Sequence, residues 1–329
     1  MGDIIKIESL VKKFGDFTAV SNISLNIKEG EIFGLLGPNG AGKTTTINML
    51  LTLLIPTSGR ITVDGMDVVK NHEKVKQLMG LMTQETVVEA ELTARQNLEL
   101  FSSLYHVPAN QVQKRINMAL EEADLMKFAD IKAGTFSGGM QRRLGLVKAM
   151  IQEPKILVLD EPTTGLDVQN RSTMWTRIRQ LNKEGATVLL TTQYLEEADT
   201  LCDRLGIIDH GKLIALGTPS EIKRIAGSGK ILEITVKNED VQKTVAMLKA
   251  KFKITAIANG EKVIATLDKD SEMEFTRISS TLDKEKIGII SIGMHLPTLD
   301  DVFIKLTGSG MRDAAGAMKG GRMDMKGWK

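Results

Sequence analysis

Gly37-Pro38-Asn39-Gly40-Ala41-Gly42-Lys43-Thr44 sets the fold of this chain. The pattern G-x-x-x-x-G-K-[ST] is a phosphate-binding loop. Its glycines let backbone N–H groups turn inward around a β-phosphate. Lys43 is placed to neutralise β/γ charge, and Thr44 to ligate Mg²⁺. The apolar run Glu31–Leu36 before the loop reads as a strand. After it, Ile47, Leu50, Leu51 and Leu54 fall at i, i+3, i+4 and i+7, which predicts a helix. That helix starts at Gly42–Lys43 and points the positive end of its dipole at the anion.

Working outward, Ile156-Leu157-Val158-Leu159 is a continuous apolar run ending in Asp160-Glu161. A strand buried on both faces reads this way. It delivers Asp160 to the C-terminal strand end, where ligands of α/β sheets bind. Asp160 is expected to hold Mg²⁺ through water, and Glu161 to orient or deprotonate an attacking water. Phe136-Ser137-Gly138-Gly139-Met140 precedes a helix with apolar Leu144, Val147 and Ile151. Ser-Gly-Gly at a helix N-terminus is a second anion cradle, built from backbone donors and the helix dipole.

The 329 residues are 42% hydrophobic and 26% charged. This is a folded composition, neither disordered nor collagenous, and its length predicts two domains. The longest apolar stretch, Met49–Ile55, stops at Pro56 and falls short of the ~20 residues of a membrane span. Asp3, Lys6 and Glu8 interrupt any secretory pattern. Lys6 stands where a myristoylation motif needs Ser or Thr. The one cysteine, Cys202, cannot form an internal disulfide and reads as buried packing, so the cytosol is expected. Net charge of +2 and 4% aromatics give no footprint for nucleic acid. His72, His106, His210 and His295 lack metal-ligand spacing.

Short apolar runs alternating with helical stretches make the first part α/β, with Val188–Leu190 a further buried strand. Leu92–Ile151 reads as mostly helical, broken at Pro108. Ile4–Leu10, Arg60–Val63, Leu205–Asp209 and Leu213–Leu216 predict an added antiparallel portion. Gly217-Thr218-Pro219 is a turn signal and Gly227-Ser228-Gly229 a linker. Beyond it the order is strand (Ile231–Val236), helix (Val241, Val245, Leu248), two strands (Lys253–Ala258, Lys262–Leu267) joined by Asn259-Gly260, helix (Glu272–Leu282) and strand (Ile287–Ile292). That βαββαβ order is ferredoxin-like. A helix at Leu299–Leu306 follows, its stripe of Leu299, Val302, Phe303 and Leu306 predicted to dock on its own chain with Phe303 as anchor. From Gly308 the Gly-, Met- and Lys/Arg-rich chain reads as a disordered basic tail.

Over residues 3–217 these motifs resemble the ATP-binding subunits of ABC transporters. The resemblance implies a P-loop NTPase of ABC type: a mixed sheet core, an antiparallel β portion and a helical subdomain at about 92–151. The ATPase domain would span 1–227, a small α+β ferredoxin-like domain 230–307 and the tail 308–329. It implies ATP and Mg²⁺ as ligands, with ATP contacts along Gly37, Pro38, Asn39, Gly40, Ala41, Gly42, Lys43, Thr44 and Thr45. Phe14 in Lys13-Phe14-Gly15 matches the aromatic that stacks on adenine, although Phe14 alone would read as core. Gln84 in Leu81-Met82-Thr83-Gln84-Glu85 resembles the lid glutamine, a Mg²⁺ ligand alongside Thr44 and Asp160. Ser137, Gly138 and Gly139 fall in the family signature, with Phe136 where Leu is usual. Asp167 in Gly165-Leu166-Asp167 falls in the loop that contacts the opposite subunit.

The family's switch histidine is replaced by Gln193, in Thr191-Thr192-Gln193-Tyr194-Leu195. An amide still donates a hydrogen bond but does not ionise. That glutamine and Thr298-Leu299-Asp300-Asp301-Val302-Phe303 resemble the drug-export branch, the daunorubicin/doxorubicin-resistance ATPases. The resemblance implies a homodimer that clamps ATP between Lys43 of one chain and Ser137–Gly139 of the other. It also implies a separate membrane permease, docked near Gln84 through Asn97 at the cytoplasmic face of the membrane. The alternative, a soluble ABC ATPase of DNA repair or translation, usually carries two ATPase units, a long coiled-coil insertion or zinc cysteines. None of these is in the sequence, and Glu161 argues against a module that binds without hydrolysing.

Overall fold

The computed structural model describes residues 2–84, 88–227, 229–267 and 271–307. They form two compact units that divide between Leu216 and Gly217. The tail from Gly308 and linker residue Ser228 lie outside the described residues.

The first unit contains an antiparallel sheet of β1 (Asp3–Phe14), β2 (Phe17–Lys28), β4 (Ser58–Val63) and β5 (Met66–Asp67), in the order β2-β1-β4-β5. Its buried face takes Ile5, Ile7 and Leu10 from β1, Ile23, Leu25 and Ile27 from β2, and Ile61 and Val63 from β4, the largely alternate side chains of a pleated strand. The second sheet contains β3 (Ile32–Leu36), β6 (Met79–Met82), β7 (Ile156–Asp160), β8 (Thr187–Thr192), β9 (Arg204–Asp209) and β10 (Lys212–Gly217), ordered β10-β9-β3-β8-β7-β6. From β9 to β6 every neighbour is parallel. Every residue of β3, β7 and β8 is buried, as expected for strands covered on both faces.

Two expectations are corrected here. Leu205–Asp209 lies in the second sheet, parallel to β3, and Leu213–Leu216 lies in the same sheet as β10, so neither belongs to the antiparallel sheet of β1, β2, β4 and β5. Leu205, Gly206, Ile207 and Ile208 are all buried, so this continuous apolar run has no solvated face. Cys202 is buried as expected, its Sγ 2.5 Å from where a Cβ on Gly34 would stand, and burial pushes its thiol pKa up.

Helix α1 (Lys43–Leu50) follows the phosphate-binding loop, and α2 (His72–Gln77) precedes β6. Helices α3 (Ala94–Leu104), α4 (Ala109–Glu122) and α5 (Gly138–Met150) form the helical lobe. Thr93 and Gln96 close a capping box at the start of α3, and Pro108 is the N-cap of α4. Leu98, Ile116, Leu120, Leu125, Phe136 and Leu144 fill the lobe's own core. Helices α6 (Val168–Lys183) and α7 (Leu195–Leu201) follow β7 and β8.

The second unit opens with α8 (Pro219–Ala226). The turn signal at 217–219 is therefore a helix start: Thr218 and Glu221 form a capping box and Pro219 takes the first turn. The compact units divide at 216/217, ahead of α8, where the sequence reading ends the ATPase domain at 227. Next come β11 (Lys230–Val236), α9 (Val241–Met247) with a π turn over Leu248–Phe252, β12 (Ala256–Asn259), β13 (Lys262–Leu267), α10 (Ser271–Lys284), β14 (Ile289–His295) and α11 (Leu299–Thr307). The strands form one antiparallel sheet ordered β12-β13-β11-β14. Asn259 pairs with Lys262, so the hairpin turns on Gly260 and Glu261, one residue later than expected, with Gly260 at φ +58°. Leu232, Ile234, Val236, Val263 and Leu267 pack on Val241, Leu248, Ile278 and Leu282.

Helix α11 packs on α8, in its own chain, as the apolar stripe predicted. Phe303 is fully buried, with Leu299 and Val302 beside it. Leu306 is 40% exposed and Ile304 is buried in its stead. The last turn of α8 is tied down as well: Ala226 O accepts from Thr266 Oγ1 (3.0 Å) and Lys305 Nζ (3.2 Å). Phe303→Ala is expected to cost about 3–5 kcal/mol in the C-terminal unit. Amide exchange should show wild-type protection over 299–306 lost in the variant, while nucleotide binding survives.

Candidate active site

Strands β3, β8, β7 and β6 are consecutive parallel neighbours, so their C-terminal ends lie side by side at a spacing of about 4.8 Å. The loop after β3 is the phosphate-binding loop. Gln193 follows β8, Asp160-Glu161 ends β7, and Gln84 follows β6. Segments up to 156 residues apart in sequence thus meet at one sheet edge (37 to 193). Topology, not local sequence, brings them together.

The loop itself fits only glycine at its contact points. A Cβ on Gly37 would stand 2.3 Å from Ile208 O, and one on Gly42 would stand 2.6 Å from Ala19 O. Gly42 is the N-cap of α1 at φ +105°, and Gly40 lies at φ +80°. Backbone therefore lines this cradle, with the α1 N-terminus behind it. Lys43 is buried, and its Nζ donates to Gly37 O (2.7 Å) and Pro38 O (3.1 Å). It also lies 3.6 Å from Glu161 Oε1. Burial lowers the Lys43 pKa, while the charges of Glu161 and Asp160 push it back up.

Glu161 is the hub. It is buried, in the left-handed region at φ +49°, and held there by its N–H to Thr191 Oγ1 (3.0 Å) and Thr191 O (3.2 Å). Its Oε2 accepts from Thr164 Oγ1 (3.0 Å), Gln84 Nε2 (3.3 Å) and Gln193 Nε2 (3.4 Å). Thr191 also donates to Asp160 Oδ1, and Thr44 Oγ1 lies 3.4 Å from Asp160 Oδ2. Thr44 is exposed and Thr45 half-buried, both in the first turn of α1. A carboxylate and a hydroxyl side by side, one of them solvent-facing, are the hard oxygen ligands that Mg²⁺ takes.

Of the residues picked out from sequence, Lys43, Thr44, Gln84, Asp160, Glu161 and Gln193 are joined in this network. Ser137, Gly138, Gly139, Asp167 and Phe14 are not, among the described residues. Ser137 caps α5, accepting from Met140 N, and a Cβ on Gly139 would meet Asn170 Oδ1 at 2.7 Å. Asp167 caps α6 through Asn170, whose backbone and side-chain N–H groups hold its pKa low. Phe14 is 43% exposed at the end of β1, with Lys12 Nζ 5.0 Å from its ring, so it is not a core aromatic. Sequence reasoning missed Thr191, Thr164 and Arg142. A polar residue at the end of a buried strand signals that Thr191 needs a partner, but that the partner is Asp160 is seen only in the register of β7 and β8.

The ABC transporter family model matches residues 20–164. The chain is 40% identical to the daunorubicin resistance ATP-binding protein DrrA2 of Streptomyces coeruleorubidus, over 93% of this chain and 96% of that one. It is 38% identical to the linearmycin resistance ATP-binding protein LnrL of Bacillus subtilis, over 94% and 100%. A Nod factor export ATP-binding protein I of Ralstonia nicotianae is 37% identical, over 94% and 95%. A solved ATP-binding subunit of an ABC transporter superposes with a TM-score of 0.62 at 28% identity, covering 67% of this chain and 92% of that one. The chain belongs to the ATP-binding subunits of ABC transporters. It is an ATPase whose hydrolysis of ATP is coupled to transport.

Proposed function

We propose that this chain powers an exporter of drugs or other hydrophobic compounds, working as a homodimer on a separate membrane permease. The observation that carries the catalytic reading is the meeting of Lys43, Gln84, Asp160 and Gln193 around buried Glu161. Glu161 is the group that orients or deprotonates the attacking water. Lys43, the α1 N-terminus and the glycine-lined loop bind the ATP phosphates. Thr44, Asp160 and Gln84 would hold Mg²⁺, which when bound would neutralise phosphate charge. Phe14 offers a π face for adenine at the end of the β1–β2 hairpin.

Among the described residues Ser137 accepts from Met140 N and Gly139 lies against Asn170, not Lys43, which supports their serving the site of a second copy. A related ATP-binding cassette, 28% identical with a TM-score of 0.60, is dimeric in a post-hydrolysis state with ADP and phosphate. Among the described residues no helix is long and apolar enough to cross a membrane, in keeping with a permease supplied by another chain at the cytoplasmic face. Asn97 pins the docking segment: it accepts from Glu89 N (2.8 Å) and donates to Glu89 O (3.0 Å) and Thr93 O (2.9 Å). The strand order β12-β13-β11-β14 supports a ferredoxin-like C-terminal domain.

Export is tested in inside-out vesicles holding this chain with a permease encoded beside it. ATP-dependent accumulation of daunorubicin or linearmycin, the compounds named for two relatives, supports the reading. Vesicles that hydrolyse ATP but accumulate neither would overturn the drug assignment and leave the ATPase standing.

Gln193 has its own expected signature. Its amide is the donor toward the γ-phosphate, so no activity pKa near ~6.5 should arise at this position. Gln193→Ala should slow hydrolysis more than Gln193→His does. Equal rates for wild type and Gln193→Ala would show the side chain to be unused.

A further inference from the structure

Arg142 is the one buried arginine side chain that the proposed chemistry leaves without a task, among the described residues. It sits on α5, five residues after the Ser137 cap (137 to 142), and is 8% exposed. No carboxylate lies in its hydrogen-bonded fork. Instead it donates to three main-chain carbonyls: Gln84 O at 2.6 Å, Thr83 O at 3.3 Å and Thr164 O at 3.5 Å. Two of those residues, Gln84 and Thr164, send their side chains to Glu161 Oε2.

We infer that Arg142 is a positioning residue: it locks the loop after β6 and the loop after β7 to the signature helix α5, fixing both donors that aim the Glu161 carboxylate. The physical case rests on chemistry that alternatives lack. A planar guanidinium carries five N–H groups in a fixed fork, so one side chain can grip carbonyls of two loops at once. A lysine ammonium is a point charge on a flexible stem and cannot hold the same spread. Burying a guanidinium against neutral carbonyls costs desolvation, which the nearby charge of Glu161 partly offsets. A structural tie alone would be met at less cost by an apolar side chain on this helix face, whose neighbours at i−3, i+3 and i+4, Gly139, Gly145 and Leu146, are buried.

The consequence is directional. Movement of α5 shifts Gln84 and Thr164 together, and with them two of the three side-chain hydrogen bonds on Oε2. The helix carrying Ser137–Gly139 at its N-terminus is thereby coupled to the water-orienting carboxylate without touching it. This inference rests on the reading of Glu161 as the water-orienting group.

The test uses the purified full chain with Mg-ATP, reading kcat and KM separately. Arg142→Ala should lower kcat about tenfold to fiftyfold, the scale of a misplaced catalytic group, with KM for ATP unchanged within about threefold. Arg142→Lys, which keeps the charge and the stem, should recover only part of the loss. If Arg142→Ala does not fold, judged by circular dichroism and ATP binding, Arg142→Lys decides, with an expected loss of about threefold to tenfold. A folded variant with wild-type kcat, or with the loss in KM alone, overturns the inference. Combined with Glu161→Gln, Arg142→Ala should add less than about twofold, because both act through one carboxylate. Fully multiplicative losses would overturn that route. Near-normal turnover in Glu161→Gln alone would instead sink the role of Glu161, while kcat of the Arg142 variants still reports whether the fork matters.

Discussion

Glu161→Gln is expected to keep ATP bound and to slow its hydrolysis by about 10²–10⁴-fold, the scale of a lost general base. The substitution is close to isosteric, and the backbone that fixes position 161 is untouched by it: the N–H still reaches Thr191 Oγ1 and Thr191 O. The electrostatics change sharply. The carboxylate accepts from Thr164, Gln84 and Gln193 on Oε2 and faces the Lys43 ammonium with Oε1. An amide has one acceptor end only, so its NH₂ must face either three donors or the ammonium. Facing Lys43 at 3.6 Å is the cheaper choice, because it gives up one contact and keeps the three hydrogen bonds of the Oε2 side. The amide oxygen then still gathers Thr164, Gln84 and Gln193, and the loop geometry holds. What is lost is the negative charge and the proton-accepting capacity. Phosphate release at saturating Mg-ATP measures the turnover, and a sizing column with Mg-ATP should show dimers accumulating, since the closed state can no longer proceed. Turnover near wild type would remove Glu161 from the reaction.

Much of this site was legible in the sequence, for reasons that differ from residue to residue. Gly37–Thr44 is local chemistry: spacing alone fixes which backbone N–H groups turn inward. Asp160 and Glu161 follow from one apolar run with a charged end. The order of strands is not local. Nothing in residues 156–161 says that Thr191 will lie in register with Asp160, so the hydroxyl that bridges Asp160 and the Glu161 N–H came only with the pairing of β7 and β8. Arg142 is hidden for the opposite reason. Its stretch of helix shows only one arginine beside another, Arg143, and only the packing of α5 against two loops exposes three carbonyls to it. The strand at 204–209 was misassigned because continuous apolar runs do not state their partner. The helix at 219–226 carried its own signature, Thr218-Pro219-Ser220-Glu221, a capping box with proline in the first turn.

Lys43→Ala is expected to separate two effects that one side chain now combines. Its ammonium makes charge-assisted hydrogen bonds to Gly37 O and Pro38 O and an ion pair with Glu161. Toward nucleotide its proposed contacts are hydrogen bonds to phosphate, and a hydrogen bond to a charged group is worth roughly 1.5–3 kcal/mol. At about 1.4 kcal/mol per tenfold, ATP affinity or turnover should fall by ten- to a hundredfold or more. Toward the fold, the deletion leaves Glu161, 4% exposed, without its cation. Breaking a buried pair from one side costs about 3–5 kcal/mol, because the remaining charge stays desolvated. The pair here is held at 3.6 Å and Glu161 keeps three other donors, which places the expected loss toward the lower end of that range. The two effects part company in Lys43→Ala combined with Glu161→Gln. Neutralising the stranded carboxylate should return most of the lost stability in urea unfolding, whereas ATP affinity should stay low, since nothing restores a cation at the phosphates. Titration with a fluorescent nucleotide analogue reads the second quantity. Full recovery of affinity in the double variant would mean that the single variant failed through distortion of the loop around Glu161, and that Lys43 makes no contact of its own with ATP.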